Sequence, residues 1–234
     1  MKKAISVIMA LFIVFSCSTA SIANAAAKFS FSGINLSTTP QKMIEIGHAE
    51  SRAPYINTYY AGNSFLGQNF FGDTMRNKLK IPTTDIEYKA MMGYHSVNND
   101  RLKIEYVSFL YKEGDCNATT YYITMPNFTQ KAFFIHIDGS RAQDSRVQHV
   151  PDVFNKRYYN SNDVIYSNYN NILSIIWENG NEVAVYCTVP QSLYIFDRKL
   201  YSEIVNFFAN EHEKIENKKR EEKKAEAEAR KNKI

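Results

Sequence analysis

The sequence lacks the short patterns that carry most familiar enzyme chemistry. It has no HExxH pair for zinc, no GxSxG nucleophile elbow and no glycine-rich phosphate loop followed by Lys-Ser/Thr. No cluster of His, Cys, Asp and Glu has metal-ligand spacing, so no metal and no cofactor is expected. Cysteine is scarce, at three residues, and none stands in a CxxC pair, which argues against redox catalysis. Long apolar runs are missing too. The longest, Ala4–Phe15, is too short to span a bilayer, which takes ~20 residues. A single Trp and six Pro are set against 16 Tyr and 15 Phe, so a core is affordable and its aromatics are mostly Tyr and Phe.

The short run has a different meaning. Met1-Lys2-Lys3 precedes it, and small residues ending in Ala23-Asn24-Ala25 follow it. A basic start, an apolar middle and an A-x-A site make a secretory signal, cut after Ala25 or within the next two residues. The expected organisation is 1–25 signal peptide, 26–216 one domain and 217–234 a charged helical tail, with no membrane span after cleavage. The signal looks bacterial, which places the protein in the periplasm or outside the cell. An uncleaved anchor or a buried core helix is the alternative for the run itself. Val14-Phe15-Ser16-Cys17 offers another, a lipoprotein box with Cys17 acylated.

Removing the ends changes the charge balance. The formal charge of +4 comes from Lys2, Lys3 and the tail, where residues 217–233 hold eight basic and four acidic side chains. Positions 26–216 carry 18 basic against 20 acidic residues. A nearly neutral body excludes the basic face of a nucleic-acid binder.

Export also changes what cysteine means. Cys17 goes with the signal, leaving Cys116 and Cys187 as an even pair in an oxidising compartment. A bridge between them is expected and would add ~4 kcal/mol on the chain-entropy account. Two separate thiols are the alternative.

Hydropathy patterning points to an α+β fold, with an antiparallel sheet built from hairpins and packed by an N-terminal helix and a long C-terminal helix. Residues 28–36 alternate and predict a short strand. Thr39 caps a helix opening on Pro40, with Gly47 as its end. Hairpins are predicted around 96–100, Pro126-Asn127 and Asn179-Gly180, the last with both central positions at positive φ. Leu102, Ile104 and Tyr106 against Lys103 and Glu105 imply one wet sheet face, and Phe133, Ile135 and Ile137 are expected to share the apolar one. A short helix near 151–158, a strand over 192–196 and a closing helix from Asp197 complete the set. In that helix Leu200, Ile204, Phe207 and Phe208 form a packing stripe that stops after Ile215.

Phe31-Ser32-Gly33-Ile34-Asn35-Leu36, followed by Thr39-Pro40 and Met43, resembles the opening of small bacterial periplasmic proteins with the pattern F-x-G-I-x-L-G-M-T/S-x-x-x-V. Ser37-Thr38 stands where that pattern has Gly-Met. The segment 151–200 is similar to their second half, with a short helix, a hairpin bearing Trp177, a strand and a closing helix. The resemblance covers about a third of the chain and is to the fold of the outer-membrane assembly lipoproteins. It implies a compact α+β binding or scaffold module and carries over no catalytic residue.

The candidate binding residues lie in two Tyr/Asn-rich segments, 55–72 and 155–171: Tyr59, Tyr60, Tyr158, Tyr159, Asn160, Tyr166 and Tyr169. Tyr offers contact area at low entropy cost and Asn adaptable hydrogen bonding, which suits an envelope protein or a carbohydrate as partner. Completion of the core by the same rings is the competing reading. The expected function is a non-enzymatic secreted or periplasmic binding protein. The alternatives are a hydrolase using His136 with Asp138, or Ser140 with His149, and an envelope scaffold or inhibitor that uses the charged tail.

Overall fold

A computed structural model describes residues 29–51, 55–60, 71, 73–81, 103–112, 115–125, 128–140, 145–158, 163–167 and 172–231. The export signal, residues 86–95 and the 96–100 loop fall outside these residues. Helix α1 (Pro40–Glu50) is followed by β1 (Tyr55–Tyr60), α2 (Asp73–Leu79), β2 (Lys103–Leu110), β3 (Asn117–Met125) and β4 (Phe128–Asp138). A 3₁₀ turn (Arg146–His149) leads into α3 (Val150–Arg157), then β5 (Asp163–Ser167), β6 (Ile172–Asn179), β7 (Glu182–Thr188), β8 (Gln191–Asp197) and α4 (Arg198–Lys231).

All pairings are antiparallel, and the strands form one eight-stranded sheet in the order β1-β2-β3-β4-β8-β7-β6-β5. This is two four-stranded meanders placed side by side and joined where β4 meets β8. The α+β architecture expected from the sequence is present, with α1 and α4 in the two layers that flank the sheet.

The alternation expected around Lys103 and Glu105 holds at the start of β2, where these two are partly exposed and Ile104 and Tyr106 are buried, but from Val107 to Phe109 both faces are covered. On one side Phe29, Phe31, Ile34, Met43, Val147, Val150 and Phe154 pack on Val107, Phe109, Ile135, Trp177 and Ile195. On the other Phe71, Leu79, Leu200, Tyr201, Ile204 and Val205 pack on Ile104, Tyr121, Phe134, Val185 and Phe196. Phe133 falls on this second side, not with Ile135 and Ile137. Tyr121 pairs with Phe134 while Tyr122 pairs with Ala132, so Phe133 is the extra residue of a β-bulge, which resets the alternation.

Local chemistry accounts for the element ends. Thr39 Oγ1 accepts from Lys42 N, and Pro40 opens α1. Gly47 does not end α1 but lies buried within it, and Ser51 is the C-cap. The stretch around 28–36 is no strand. Ser32 and Gly33, at φ 48° and 83°, make a two-residue turn that pairs Phe31 with Ile34, so Phe29, Phe31 and Ile34 all enter the core. The β6–β7 turn sits one residue later than the sequence implied. Asn179 pairs with Glu182, Gly180 and Asn181 are central, and positive φ occurs at Gly180 and not at Asn181. Asp197 caps α4 through Leu200 N.

Arg198, the first residue of α4, reaches back to three places. Its guanidinium donates to Glu178 Oε1 at 3.0 Å, Gly180 O at 2.9 Å and Leu79 O at 3.4 Å. One side chain thus fixes α4 against the β6–β7 turn and the end of α2.

The expected Cys116–Cys187 bridge is absent, and both cysteines are free thiols. Cys116 is buried in the α1/α3 layer, whereas Cys187 packs against the α4 layer. They also sit three strand spacings apart, about 14 Å, against a Cα separation under ~7 Å for any disulfide. Peptide mapping of denatured, unreduced protein should find both residues alkylated, and a Cys116–Cys187 cross-linked peptide would contradict this structure.

Phe134 is the centre of the α4-side core. Its ring lies 5.8 Å from Phe196, 5.9 Å from Tyr201, 6.0 Å from Tyr194 and 6.1 Å from Tyr121. Phe134→Ala is expected to cost about 3–5 kcal/mol in urea denaturation, while Leu110→Ala, at an exposed position, should stay within about 0.5 kcal/mol.

Candidate functional site

Strand register gathers a polar lane on the α4 side of the sheet, toward one end. One row across the strands reads Ser108, Thr119, His136, Tyr194. The next reads Asn117, Asp138, Ser192, Cys187, Ser174. Phe134, His136 and Asp138 alternate along β4, so they share a face, and the first is core while the other two form the lane. Asn117, His136, Asp138 and Cys187 are half-buried, and Ser108, Thr119, Ser174 and Ser192 are buried.

The groups are linked to one another. Ser108 Oγ donates to Asn117 Oδ1 at 3.3 Å and lies 2.9 Å from Thr119 Oγ1. His136 stacks on Tyr194, with centroids 4.8 Å apart and ring planes 11° from parallel. Its Nε2 is 3.5 Å from Ser192 Oγ, at the outer limit of a hydrogen bond. Ser174 Oγ donates to Cys187 Sγ at 3.4 Å, and Ser140 N donates to Asp138 Oδ1 at 2.9 Å.

Burial sets the protonation states. It lowers the His136 pKa to about 4, against the opposing pull of Asp138. Burial raises the Cys187 thiol, partly countered by the Ser174 hydrogen bond, and raises the Tyr194 phenol, with Cys187 adding to the rise. At neutral pH the lane therefore presents a neutral imidazole, a protonated thiol and a protonated phenol. None is an activated nucleophile, and an imidazole titrating near 4 is a weak base at pH 7. Ser192, whose hydroxyl lies 3.5 Å from His136 Nε2, is 1% exposed and closed to a substrate carbonyl.

The other expected pair is not assembled. His149 ends the 3₁₀ turn, whose Val147 packs into the opposite layer, and its ring contacts Gln148 at 3.3 Å. Ser140 is exposed beside Asp138. Among the described residues no group of three or more His, Cys, Asp and Glu could hold a metal ion.

The Tyr/Asn candidates divide. Tyr158 is core-forming, edge-on to Phe29 and Phe154 at 5.0 Å each, on the face opposite the lane. Tyr59 and Tyr60 lie in β1 and Tyr166 in β5, with their side chains outside the described residues, as are Tyr159, Asn160 and Tyr169 altogether. β1 and β5 are the two opposite ends of the strand order, seven spacings or about 34 Å apart along the sheet. The described strands of the two segments, β1 and β5, are therefore the two separate edges of the sheet.

No family model, curated protein or solved structure matches this chain.

Sequence reasoning placed His136 and Asp138 together on one strand face and missed the rest of the lane. Alternation within β8 and β7 assigns faces to Ser192, Tyr194 and Cys187. It does not say which strands are neighbours, and only the pairing of β4 with β8 brings these groups to His136.

A second polar cluster ties the opposite layer down. Arg146 Nε donates to Asp115 Oδ2 at 2.7 Å, and its guanidinium lies 4.3 Å over the Tyr111 ring. Burial works against the Asp115 carboxylate, but its hydrogen bonds to Arg146 outweigh this and hold it below its ordinary value. Burial and then Asp115 push the Cys116 thiol up to about 12. This cluster holds the 3₁₀ turn against the start of β3.

The His136 shift fixes a pH dependence. The native ring titrates near 4 and the unfolded one near 6.5, so the unfolded chain binds the extra proton between these values and stability falls as pH drops from about 6.5 to about 4. Up to about 2–3 kcal/mol should be lost in denaturation curves across that window. His136→Phe, which retains a ring against Tyr194, should flatten this segment, leaving the Asp115 contribution to decline only at lower pH.

Proposed function

We propose that this protein is a secreted or periplasmic binding protein of the bacterial envelope that performs no chemistry on its ligand. The observation that carries the reading is the protonation pattern of the lane: hydroxyls, an amide, a neutral imidazole and one carboxyl group, with no activated nucleophile and with Ser192, the serine beside His136, buried. Its partly exposed members, Asn117, His136 and Asp138, offer a donor, acceptors and a ring edge of the kind a hydroxyl-rich or amide-rich ligand needs, and the buried hydroxyls position them. The N-terminal export signal supports the compartment, and the resemblance of the opening motif to small periplasmic α+β modules supports a binding or scaffold role. A carbohydrate or an envelope protein is the partner class.

Asp138 and His136 are two of the half-buried members of the lane and can be changed without emptying the core. Immobilised protein should retain a component of envelope extract, identified by mass spectrometry. Asp138→Asn with His136→Gln should weaken that retention at least tenfold while the circular dichroism spectrum stays unchanged. Turnover of a cell-wall, peptide or ester substrate by the wild type, abolished in His136→Ala, would overturn the proposal in favour of a hydrolase.

A further inference from the structure

The second half of α4 has an ordered charge pattern. From Asn217 to Arg230 every residue is exposed, a stretch of about 21 Å of helix that packs on nothing among the described residues. At 100° per residue, Lys219, Arg230, Lys223, Ala227, Arg220 and Lys224 follow one another around a single arc of roughly 140°. Within 217–230 that arc contains no acidic residue, and Glu216, just before it, falls at its middle and pairs with Lys219. Glu221, Glu222, Glu226 and Glu228 fall on the other side, with Lys218, Ala225 and Ala229 among them. Two ion pairs link residues along this part of the helix, Lys219 to Glu216 at 3.2 Å and Lys218 to Glu222 at 4.0 Å, both between exposed side chains that can exchange partners at little cost.

We propose that this basic arc docks the protein onto an anionic lipid surface, with the helix lying flat and its lysines and arginines facing lipid phosphates. The occupant is argued from three observations. The five cations lie within that one arc over about 17 Å of helix, and their long flexible side chains can converge on one planar surface. Within 217–230 no other side chain larger than Ala interrupts the arc, so the contact is electrostatic and peripheral, without insertion. The body is close to neutral, so the attraction is confined to this helix. A second copy of the chain fits less well. Laying a basic arc on an acidic one would place Lys218 against cations, and there is no apolar seam to bury. Nucleic acid is disfavoured by the envelope location, and on that point the inference rests on the proposed export.

The test is co-sedimentation of the full chain with vesicles of phosphatidylcholine alone or mixed with phosphatidylglycerol. Binding to the anionic vesicles should exceed the zwitterionic baseline at ~0.1 M salt and disappear at ~1 M, where screening is complete within ~3 Å. The combined variant Lys219→Gln, Arg220→Gln, Lys223→Gln, Lys224→Gln and Arg230→Gln should bind at least tenfold more weakly. Gln keeps the helix, and both chains share the same first 28 residues, so the apolar N-terminal run contributes equally to each. Glu221→Gln, Glu222→Gln, Glu226→Gln and Glu228→Gln together should bind as well as wild type or better. Equal binding by the five-Gln variant would overturn the proposal. So would preference for duplex DNA at matched phosphate, or salt-sensitive dimerisation that consumes the same residues. N-terminal sequencing of protein recovered from cells separates the two readings. A mature start at Ala26, Ala27 or Lys28 together with absent vesicle binding overturns only the docking, whereas vesicle binding by an unprocessed cytoplasmic chain overturns only the envelope assignment.

Discussion

The pairing of β4 with β8 is the contact on which the rest of the structure depends. Each four-stranded meander can form from local hairpins, but neither alone closes a core on both faces. The seam runs from Phe134–Phe196 to Asp138–Ser192, and it sets one aromatic cluster under α4 and one aliphatic row under α1 and α3. Ile135 and Ile195 face one layer while Phe134 and Phe196 face the other, so the five residue pairs serve both cores. The 3₁₀ turn and α3 lie in the connection between the meanders, and the Arg146–Asp115 pair and the Trp177 Nε1–Asn155 Oδ1 hydrogen bond hold that connection to the sheet.

The lane is a consequence of the same seam. Alternation obliges every second residue of β4 to face α4, and the opposite face is taken by Ile135 and Ile137. His136 and Asp138 therefore share a side with Phe134 and cannot turn away from it. Burial around His136 then favours the uncharged ring, and stacking on Tyr194 fixes its plane. Keeping a neutral histidine there costs stability at acidic pH. A core that needed only to be filled would be served better by apolar residues, and the cost is intelligible if the hydrogen-bonding surface is used.

Much of the fold was legible in the sequence because its signals are local. The Thr39-Pro40 helix start, the Pro126-Asn127 hairpin, the Gly180 hairpin within one residue, the short helix near 151–158 and the closing helix all follow from caps, turns and periodicity. What was not legible depends on partners far away in the chain. The bulge at Phe133 leaves no mark in an apolar run, so its face was misassigned. The turn at Ser32-Gly33 looks like strand alternation, because a two-residue reversal also buries its flanking residues. The expected disulfide failed for the same reason: an even count of cysteines says nothing about which face or which strand carries each. The candidate site was readable as one dipeptide step, His136 to Asp138, and its other members required the strand order.

The closing helix divides by sequence into a packed half and an exposed half. Its first half is held by apolar contacts from Leu200, Tyr201, Ile204 and Val205 and by the Arg198 anchor. That packed half supplies the nucleus that an isolated polar helix would lack, and propagation from it needs only one hydrogen bond per added residue. Good helix formers and the close ion pairs Lys214–Glu211 and Lys219–Glu216 then suffice to carry it outward. A tail meant only to be soluble could mix its charges at random around the axis. Lys219, Arg220, Lys223, Lys224 and Arg230 repeat in phase with the helix, and the proposed docking to an anionic surface is what that phase would serve.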